Sequence, residues 1–387
     1  MPENKESVNK NNKVPKLRFA GFSKGWKQTP LCKLSSDISY GLGAPAKKFD
    51  GNNKYLRITD IDEATNQFIY DDLTSPDCML NDYYLLKEND LLFARTGAST
   101  GKTYLYNKND GKIYFAGFLI RFRLVNVDPK FIFYQTKTSK YFYWVSVYSK
   151  RSGQPGINAS EYSKYNLGIC SITEQNKIST FLTMVDSKIN IITNKINTLK
   201  KYKKGLEKKA IKYIITNGKK IEFPLMFEEY KYFNKNKFPQ YTVGKNGLIK
   251  IEDINYNLFN HSIFSKNNLL VGIGIDEIAI SITDEGCVSP VYTVYLINDH
   301  FDTYYFYWFL KDLLIKQKRF ITKKSTRREF EIDKKELKKC KISYVVDAFI
   351  KSSISSLNTV DSRVRNYAQQ LNLLRFIKIK LLKDMFI

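Results

Sequence analysis

The sequence predicts an α+β chain: two mixed α/β domains with β-rich centres alternate with two long helices that pair as an antiparallel coiled coil, giving a pseudo-two-fold internal repeat. Three observations predict it, namely a duplication, a heptad seam in each copy, and β-rich sequence ahead of each seam. Under a shift of 175 residues, Val185-Asp186-Ser187 falls on Val360-Asp361-Ser362. Leu182, Asn197, Leu199, Lys203, Leu206 and Lys208 fall on Leu357, Asn372, Leu374, Lys378, Leu381 and Lys383. Upstream, Ile157, Glu161 and Lys164 fall on Ile332, Glu336 and Lys339. Matches at one fixed offset mark a duplicated unit rather than shared composition.

The elements follow in chain order. Residues 1–14 are polar, lack the apolar run of a secretory signal and read as a disordered tail. Residues 15–173 form the first domain: KYLRITDI, NDLLFART and FAGFLIRFRLV read as strands, and PKFIFYQTKTSKYFYWVSVYS as an aromatic helical stretch. Residues 174–216 form the first long helix, with Leu182, Val185, Ile189, Ile192, Ile196, Leu199 and Leu206 in steps of four and three and Lys203 in the gap. Residues 217–344 form the second domain, with strands in LLVGIGIDEIAISI and CVSPVYTVYLI and a helix in HFDTYYFYWFLKDLLIKQ. Residues 345–387 form the second long helix, seamed by Leu357, Val360, Val364, Tyr367, Leu371, Leu374 and Leu381, with Lys378 in the gap. A seam held over four heptads argues for paired helices of about 60 Å each, against the alternative that each helix packs only on its own domain. Lys203 and Lys378 both take an a-type position. Parallel in-register pairing would bring two ammonium groups together in an apolar seam, and antiparallel pairing separates them.

Composition bounds the function. The 387 residues hold 63 Lys and Arg against 38 Asp and Glu, a net charge of +25 that favours polyanionic partners, with a solvated Lys-rich surface as the bland alternative. No run of apolar residues approaches the length of a membrane span, so no membrane contact and a cytoplasmic location are expected. Cys32, Cys78, Cys170, Cys287 and Cys340 form no CxxC pair, and His261 and His300 lie far apart, so neither a disulfide framework nor a metal centre is expected.

Several motifs invite catalytic readings. Thr96–Thr103, TGASTGKT, is one residue short of a phosphate-binding loop and reads better as a tight turn that offers donors; a nucleotide hydrolase is the weakest alternative. No [ND]PP[YF] tetrapeptide of an adenine methyltransferase occurs. Asp333-Lys334-Lys335 is a faint nuclease motif that reads better as a charged helix face. Phe131, Phe133, Tyr134, Tyr141, Phe142 and Trp144 could stack bases, but helix-to-sheet core packing accounts for them more simply. The densest basic run, Lys316 to Arg328, has seven basic residues in thirteen and no acid; Lys150-Arg151-Ser152-Gly153-Gln154 occupies the corresponding place in the first domain. Lys200, Lys201 and Lys204 could follow a DNA spacer, contact a partner or simply be solvated.

Together these features resemble the specificity (S) subunits of type I restriction–modification systems, over almost the whole chain. The resemblance rests on VPKLRFAGFSKGW (14–26), NDLLFARTGASTGK (89–102), RSGQPGIN (151–158) leading to EQNKISTFL (174–182), AISITDEGCVSPVYTVY (279–295) and the repeated helix. The second half departs in having REFEID at 328–333, with no RTGASTGK or QPGIN counterpart. The resemblance implies two target-recognition domains, each reading one half of a bipartite asymmetric site in double-stranded DNA. It implies a coiled coil that sets the spacer and docks two methyltransferase (M) subunits, with restriction (R) subunits joining for cleavage. No catalysis or cofactor is then expected in this chain: S-adenosylmethionine belongs to M, and ATP and Mg²⁺ to R. The DNA-contact candidates are Lys47, Lys48, Arg57, Arg95, Ser99, Lys102, Arg151 and Gln154 in the first domain. In the second they are Lys316, Lys318, Arg319, Lys323, Lys324, Arg327 and Arg328. A stand-alone nucleic-acid-binding regulatory scaffold is the competing reading.

Overall fold

A computed structural model describes residues 14–150, 154–229, 240–244, 247–250, 262–264, 268–273, 278–283, 286–288, 293–316, 322–323 and 331–387. It divides into two compact units, one of Met1–Ile192 with Gln370–Ile387, the other of Thr193–Gln369.

In the first unit a four-stranded antiparallel sheet has the order Ser35–Tyr40, Leu119–Leu124, Asp90–Ala94, Thr103–Leu105. Strand Asp90–Ala94 is buried along its whole length because both faces of the sheet are covered. Side chains alternate sides along a strand. Leu91 and Phe93 therefore join Ile120, Phe122 and the helices in one core, while Leu92 and Ala94 join Leu119, Tyr104 and Phe115 in another. Arg121 and Arg123 alternate with the core residues of Leu119–Leu124, and each finds a carboxylate. Arg121 pairs with Asp37 and donates to the Tyr83 carbonyl at 2.6 Å, and Arg123 holds Asp90 at 2.8 and 3.0 Å.

The aromatic stretch expected as one helix is two, Pro129–Gln135 and Ser139–Tyr148. Asp128 caps the first by accepting from Phe131 N–H, Thr136 closes it, and the Thr138 hydroxyl starts the second by accepting from Tyr141 N–H. Core packing takes Phe131, Tyr134 and Tyr141, as expected, but Phe142 is 54% exposed. Strand Lys27–Pro30 pairs antiparallel with Asn166–Ile169.

The second unit repeats this plan. Strand Lys219–Glu222 pairs with Lys341–Tyr344, and helix Lys334–Lys339 stands where the first unit has Ala159–Ser163. Asp333 caps that helix, accepting from Lys335 N–H at 2.8 Å, so the carboxylate of the faint nuclease motif serves a helix end. One sheet has the order Phe227–Glu229, Thr293–Ile297, Asn268–Ile273, Ile278–Thr283; another has Gly247–Lys250, Gln240–Gly244, Gly286–Val288, Ser262–Phe264. Helix Thr303–Ile315 is capped by Asp302 and buries Tyr305, Phe306, Phe309, Leu310 and Leu314.

The long helices are Ile172–Asn217 and Ala348–Met385. Within each unit their segments run antiparallel. In the first, Ile178 and Leu182 share a core with Leu382 and Met385, and Lys378 meets Asp186 at 2.6 Å. In the second, Ala210, Ile211 and Ile214 share a core with Ile350, Ile354 and Leu357, and Lys203 meets Asp361 at 2.6 Å. Each helix thus pairs with its counterpart and also enters a domain core, which combines the two arrangements weighed from the sequence. Of the seam residues, Leu182, Ile192, Ile196, Leu357, Val360 and Leu371 are buried, and Val185, Ile189, Leu199, Leu206, Val364, Tyr367 and Leu374 half-buried. Near the C-terminus Leu382 is the buried residue and Leu381 the half-buried one.

The seam lysines are held by the aspartates of the repeated Val-Asp-Ser. Asp186 also accepts from the Tyr134 hydroxyl at 2.9 Å, with Lys378 Nζ 6.0 Å from that ring. Lys203 Nζ lies 4.4 Å from the Trp308 ring centre, whose indole N–H donates to Asn358. Removing one partner leaves a half-buried charge unmatched. Lys378→Met and Asp186→Leu should each lower stability by about 1–2 kcal/mol, and the double variant by clearly less than their sum, in urea unfolding. Additive losses would contradict the pairing.

Gly101 sits at φ +89°, where a Cβ would fall 2.6 Å from Val145 Cγ1. Left-handed backbone and overpacking act together there, so Gly101→Ala should cost about 2 kcal/mol or more in the same assay.

Candidate nucleic-acid interface

The buried inner strand Asp90–Ala94 places its next residue, Arg95, at its C-terminal end. Arg95 N–H donates to the Phe118 carbonyl at 3.0 Å, and its own carbonyl accepts from Ile157 N–H at 2.9 Å. Gly97 N–H donates to the Pro155 carbonyl at 2.9 Å, and Thr96 bridges Gly156 in antiparallel fashion. The two motifs singled out as separate strings, RTGASTGK and QPGIN, are therefore one stitched structure. The tight turn expected over Thr96–Thr103 contains a short 3₁₀ turn, Gly97–Ser99. Its amides are spent internally: Thr100 N–H on Gly97, Gly101 N–H on Ala94 and Lys102 N–H on Ser99. A phosphate-binding loop needs such amides free, so the hydrolase alternative loses its basis.

The Arg95 guanidinium lies 5.0 Å from the Tyr40 ring centre and 6.0 Å from that of Phe118. Its Nε is buried and has no hydrogen-bond partner among the described residues. Tyr40 is fixed in turn, its hydroxyl accepting from Ala159 N–H at 3.0 Å. Gln154 is exposed, and its side-chain amide covers Gly97 so closely that a Cβ there would fall 2.9 Å from Nε2. Ser99 is half-buried in the turn.

The other candidates are dispersed. Lys47 and Lys48 are exposed on strand Ala46–Lys48, Lys47 reaching Asp77 at 3.3 Å. Arg57 is committed to Asp60, with donors at 2.8–3.2 Å, and to Asp72. Lys102 turns inward, its side chain 12% exposed, onto the Ile61 carbonyl at 3.1 Å and Glu63 at 3.4 Å. Lys316 is exposed at the end of helix Thr303–Ile315, and Lys323 lies in a two-residue strand paired with Glu331–Ile332. Arg151, Lys318, Arg319, Lys324, Arg327 and Arg328 lie outside the described residues, as does His261.

Sequence reasoning missed Tyr40 and Phe118. Their trace was the glycines beside them: Gly41 approaches the Phe115 and Ala116 carbonyls so closely that a Cβ would lie 2.4 Å away, and Gly117 sits 3.1 Å from the Leu42 carbonyl by the same measure. Gly41 has no room for a Cβ in the crossing from which both rings come to lie by Arg95. Among the described residues no three His, Cys, Asp or Glu side chains gather as a metal site, and no helix is long and apolar enough to cross a membrane.

Comparison with known proteins agrees with this architecture. Residues 43–201 match the family model of the type I restriction modification DNA specificity domain. The type I restriction enzyme MjaVIII specificity subunit of Methanocaldococcus jannaschii is 25% identical over 131 residues, 33% of this chain and 29% of its own length. The match thus spans under a third of that relative. The S subunit of a type I restriction-modification system from M. genitalium superposes with a TM-score of 0.65 at 16% identity, over 97% of this chain and 99% of its own. An HsdS subunit from Thermoanaerobacter tengcongensis aligns over 95% of this chain and 98% of its own, with a TM-score of 0.47 at 11% identity. The fold is the α+β fold of type I S subunits. Residues 43–201 thus resemble a type I DNA specificity domain, and the likeness in fold extends over almost the whole chain.

Beneath the interface, the Asp37 carboxyl would be raised by burial, but the Arg121 hydrogen bond and charge and the Tyr83 hydroxyl hold it below the ordinary carboxylate range. A depressed folded value gives stability that is present above the unfolded value, near pH 4, and is lost as pH falls through the folded one. Asp37→Asn should therefore lower Tm at pH 7, with the gap from wild type shrinking as pH drops below about 4. A gap that widens on acidification would contradict this.

Proposed function

We propose that each mixed domain reads one half of a bipartite asymmetric sequence in double-stranded DNA, and that the paired helices set the spacer and dock two methyltransferase subunits. The observation that carries the proposal is the stitched loop of Arg95–Lys102 and Gln154–Ile157, which holds an arginine and a glutamine at the C-terminal end of a buried inner strand. These two residue types make bidentate contacts to base edges, to guanine and adenine respectively. Lys47 and Lys48, exposed on strand Ala46–Lys48, suit phosphate contact and register. The net charge of +25 supplies the long-range attraction.

The helices offer an apolar outer face besides their seam. Leu373, Phe376 and Ile379 on the C-terminal helix and Met184 and Ile191 on the central one are each more than half exposed. Isolated exposed apolar residues are ordinary, but several on one short helical stretch favour a protein partner, here a methyltransferase subunit. Chemistry then belongs to partners: adenosylmethionine to the methyltransferase, and ATP and Mg²⁺ to restriction subunits that join for cleavage. The chain itself binds DNA and catalyses nothing.

Methylome sequencing tests this in a host carrying the gene with its neighbouring methyltransferase, against the same host with this gene deleted. Loss of one bipartite methyladenine motif is expected. An unchanged methylome with an active methyltransferase would return the chain to the stand-alone scaffold. If the helices act as a ruler, one heptad inserted at matching positions in both, about 10 Å, should lengthen the spacer by about 3 base pairs. An unchanged spacer would reject the ruler.

A further inference from the structure

We propose that Arg95 is the guanine-reading residue of the first domain, held as a preset fork by Tyr40 and Phe118; this rests on the DNA-specificity reading above. The first domain spends its other described arginines on carboxylates. Arg57 holds Asp60, Arg121 holds Asp37, Arg123 holds Asp90, and Arg18 at the chain entry holds Glu174 at 2.6 and 2.8 Å. Arg95 is the exception. It has no ion pair among the described residues, its Nε is buried without a partner, and aromatic faces at 5.0 and 6.0 Å are what it contacts.

That environment has a direct consequence. A ring quadrupole attracts a guanidinium but offers no acceptor in the guanidinium plane, so the hydrogen-bonding edge stays unsatisfied while the group is held in place. A half-buried cation in this state favours a partner that brings acceptors in one plane. The O6 and N7 atoms of guanine do so in the major groove, as a bidentate pair.

A phosphate could also accept from Arg95, but the surroundings favour the base. Lys47 and Lys48 are exposed charges suited to phosphate, Lys47 also reaching Asp77 at 3.3 Å, and Gln154, a residue type that reads adenine edges, is held in the same stitched loop as Arg95. The backbone on either side is pinned to Phe118 and Ile157, and Tyr40 is tied to Ala159, so the fork is positioned before DNA arrives. Preorganisation of this kind removes the ordering cost that a free arginine side chain would meet on binding.

The test uses the complex of this chain with its methyltransferase subunits, on duplexes carrying the motif that the wild-type methylome defines. Each guanine of that motif is replaced in turn by 7-deazaguanine, which removes N7 and leaves every phosphate in place. One position in one half-site should weaken wild-type binding by about ten-fold or more. The Arg95→Lys complex should bind the unmodified site more weakly and show no further loss at that position. Its methylome should be degenerate at that one base pair, with the other half-site unchanged, which also reports that the variant is folded. Wild-type binding indifferent to every 7-deazaguanine would overturn the assignment and leave Arg95 a phosphate contact. So would an Arg95→Lys complex that still discriminates at the same position. A wild-type strain without any bipartite motif would overturn the specificity-subunit reading itself, and this inference with it.

Discussion

Each compact unit depends on one constraint, an antiparallel pair of helix segments whose register an ion pair fixes. Lys378 sits on Asp186 in one unit and Lys203 on Asp361 in the other, both at 2.6 Å. The residues correspond under the duplication, so one device is used twice. A shift of either helix by a single residue would leave an ammonium and a carboxylate in half-buried, mostly apolar surroundings without each other, which costs more than the pair contributes. The apolar seam supplies the affinity of helix for helix, and the ion pair selects one alignment.

The domains inherit their placement from those helices. Ile178 and Leu182 of the central helix, with Leu382 and Met385 of the C-terminal one, lie inside the core that also holds Trp26, Phe93 and Phe122. Phe93 stands two residues before Arg95, on the strand that is buried throughout. A continuous packed path therefore runs within this unit from the helix pair to the loop proposed to meet DNA. The loop needs such backing: Gly97 and Gly101 take positive φ there, and both are tied down by hydrogen bonds to neighbouring segments.

Much of this was legible in the sequence. The duplication, the two seams and the strands around Leu91 and Ile120 follow from fixed offsets and from period-two and heptad patterns, which local physics imposes. The seam lysines were visible as outliers, and their aspartate partners sat in the same repeated set. What hid the pairing is that a heptad pattern places residues on one helix and says nothing of which residue faces them across an antiparallel partner. The split of the aromatic stretch at Thr136–Thr138 was hidden because Phe and Tyr continue through it; only the capping threonine reveals the restart. The site was less legible. Arg95 and Gln154 were named from their motifs, but Arg57 and Lys102 look equally basic in sequence and are turned onto Asp60 and Glu63. Charge composition cannot tell a spent cation from an unpaired one, because that depends on contacts between segments distant in sequence.

If each domain reads its own half-site, as proposed, then exchanging one domain changes one half of the target. The most direct measurement is the methylome of a chimaera in which residues 14–170 are exchanged for the same domain of a type I S subunit with a different target. The expected result is a new motif that keeps one half-site and the spacer and changes only the other half. A motif altered in both halves, or one that keeps both halves unchanged, would contradict it.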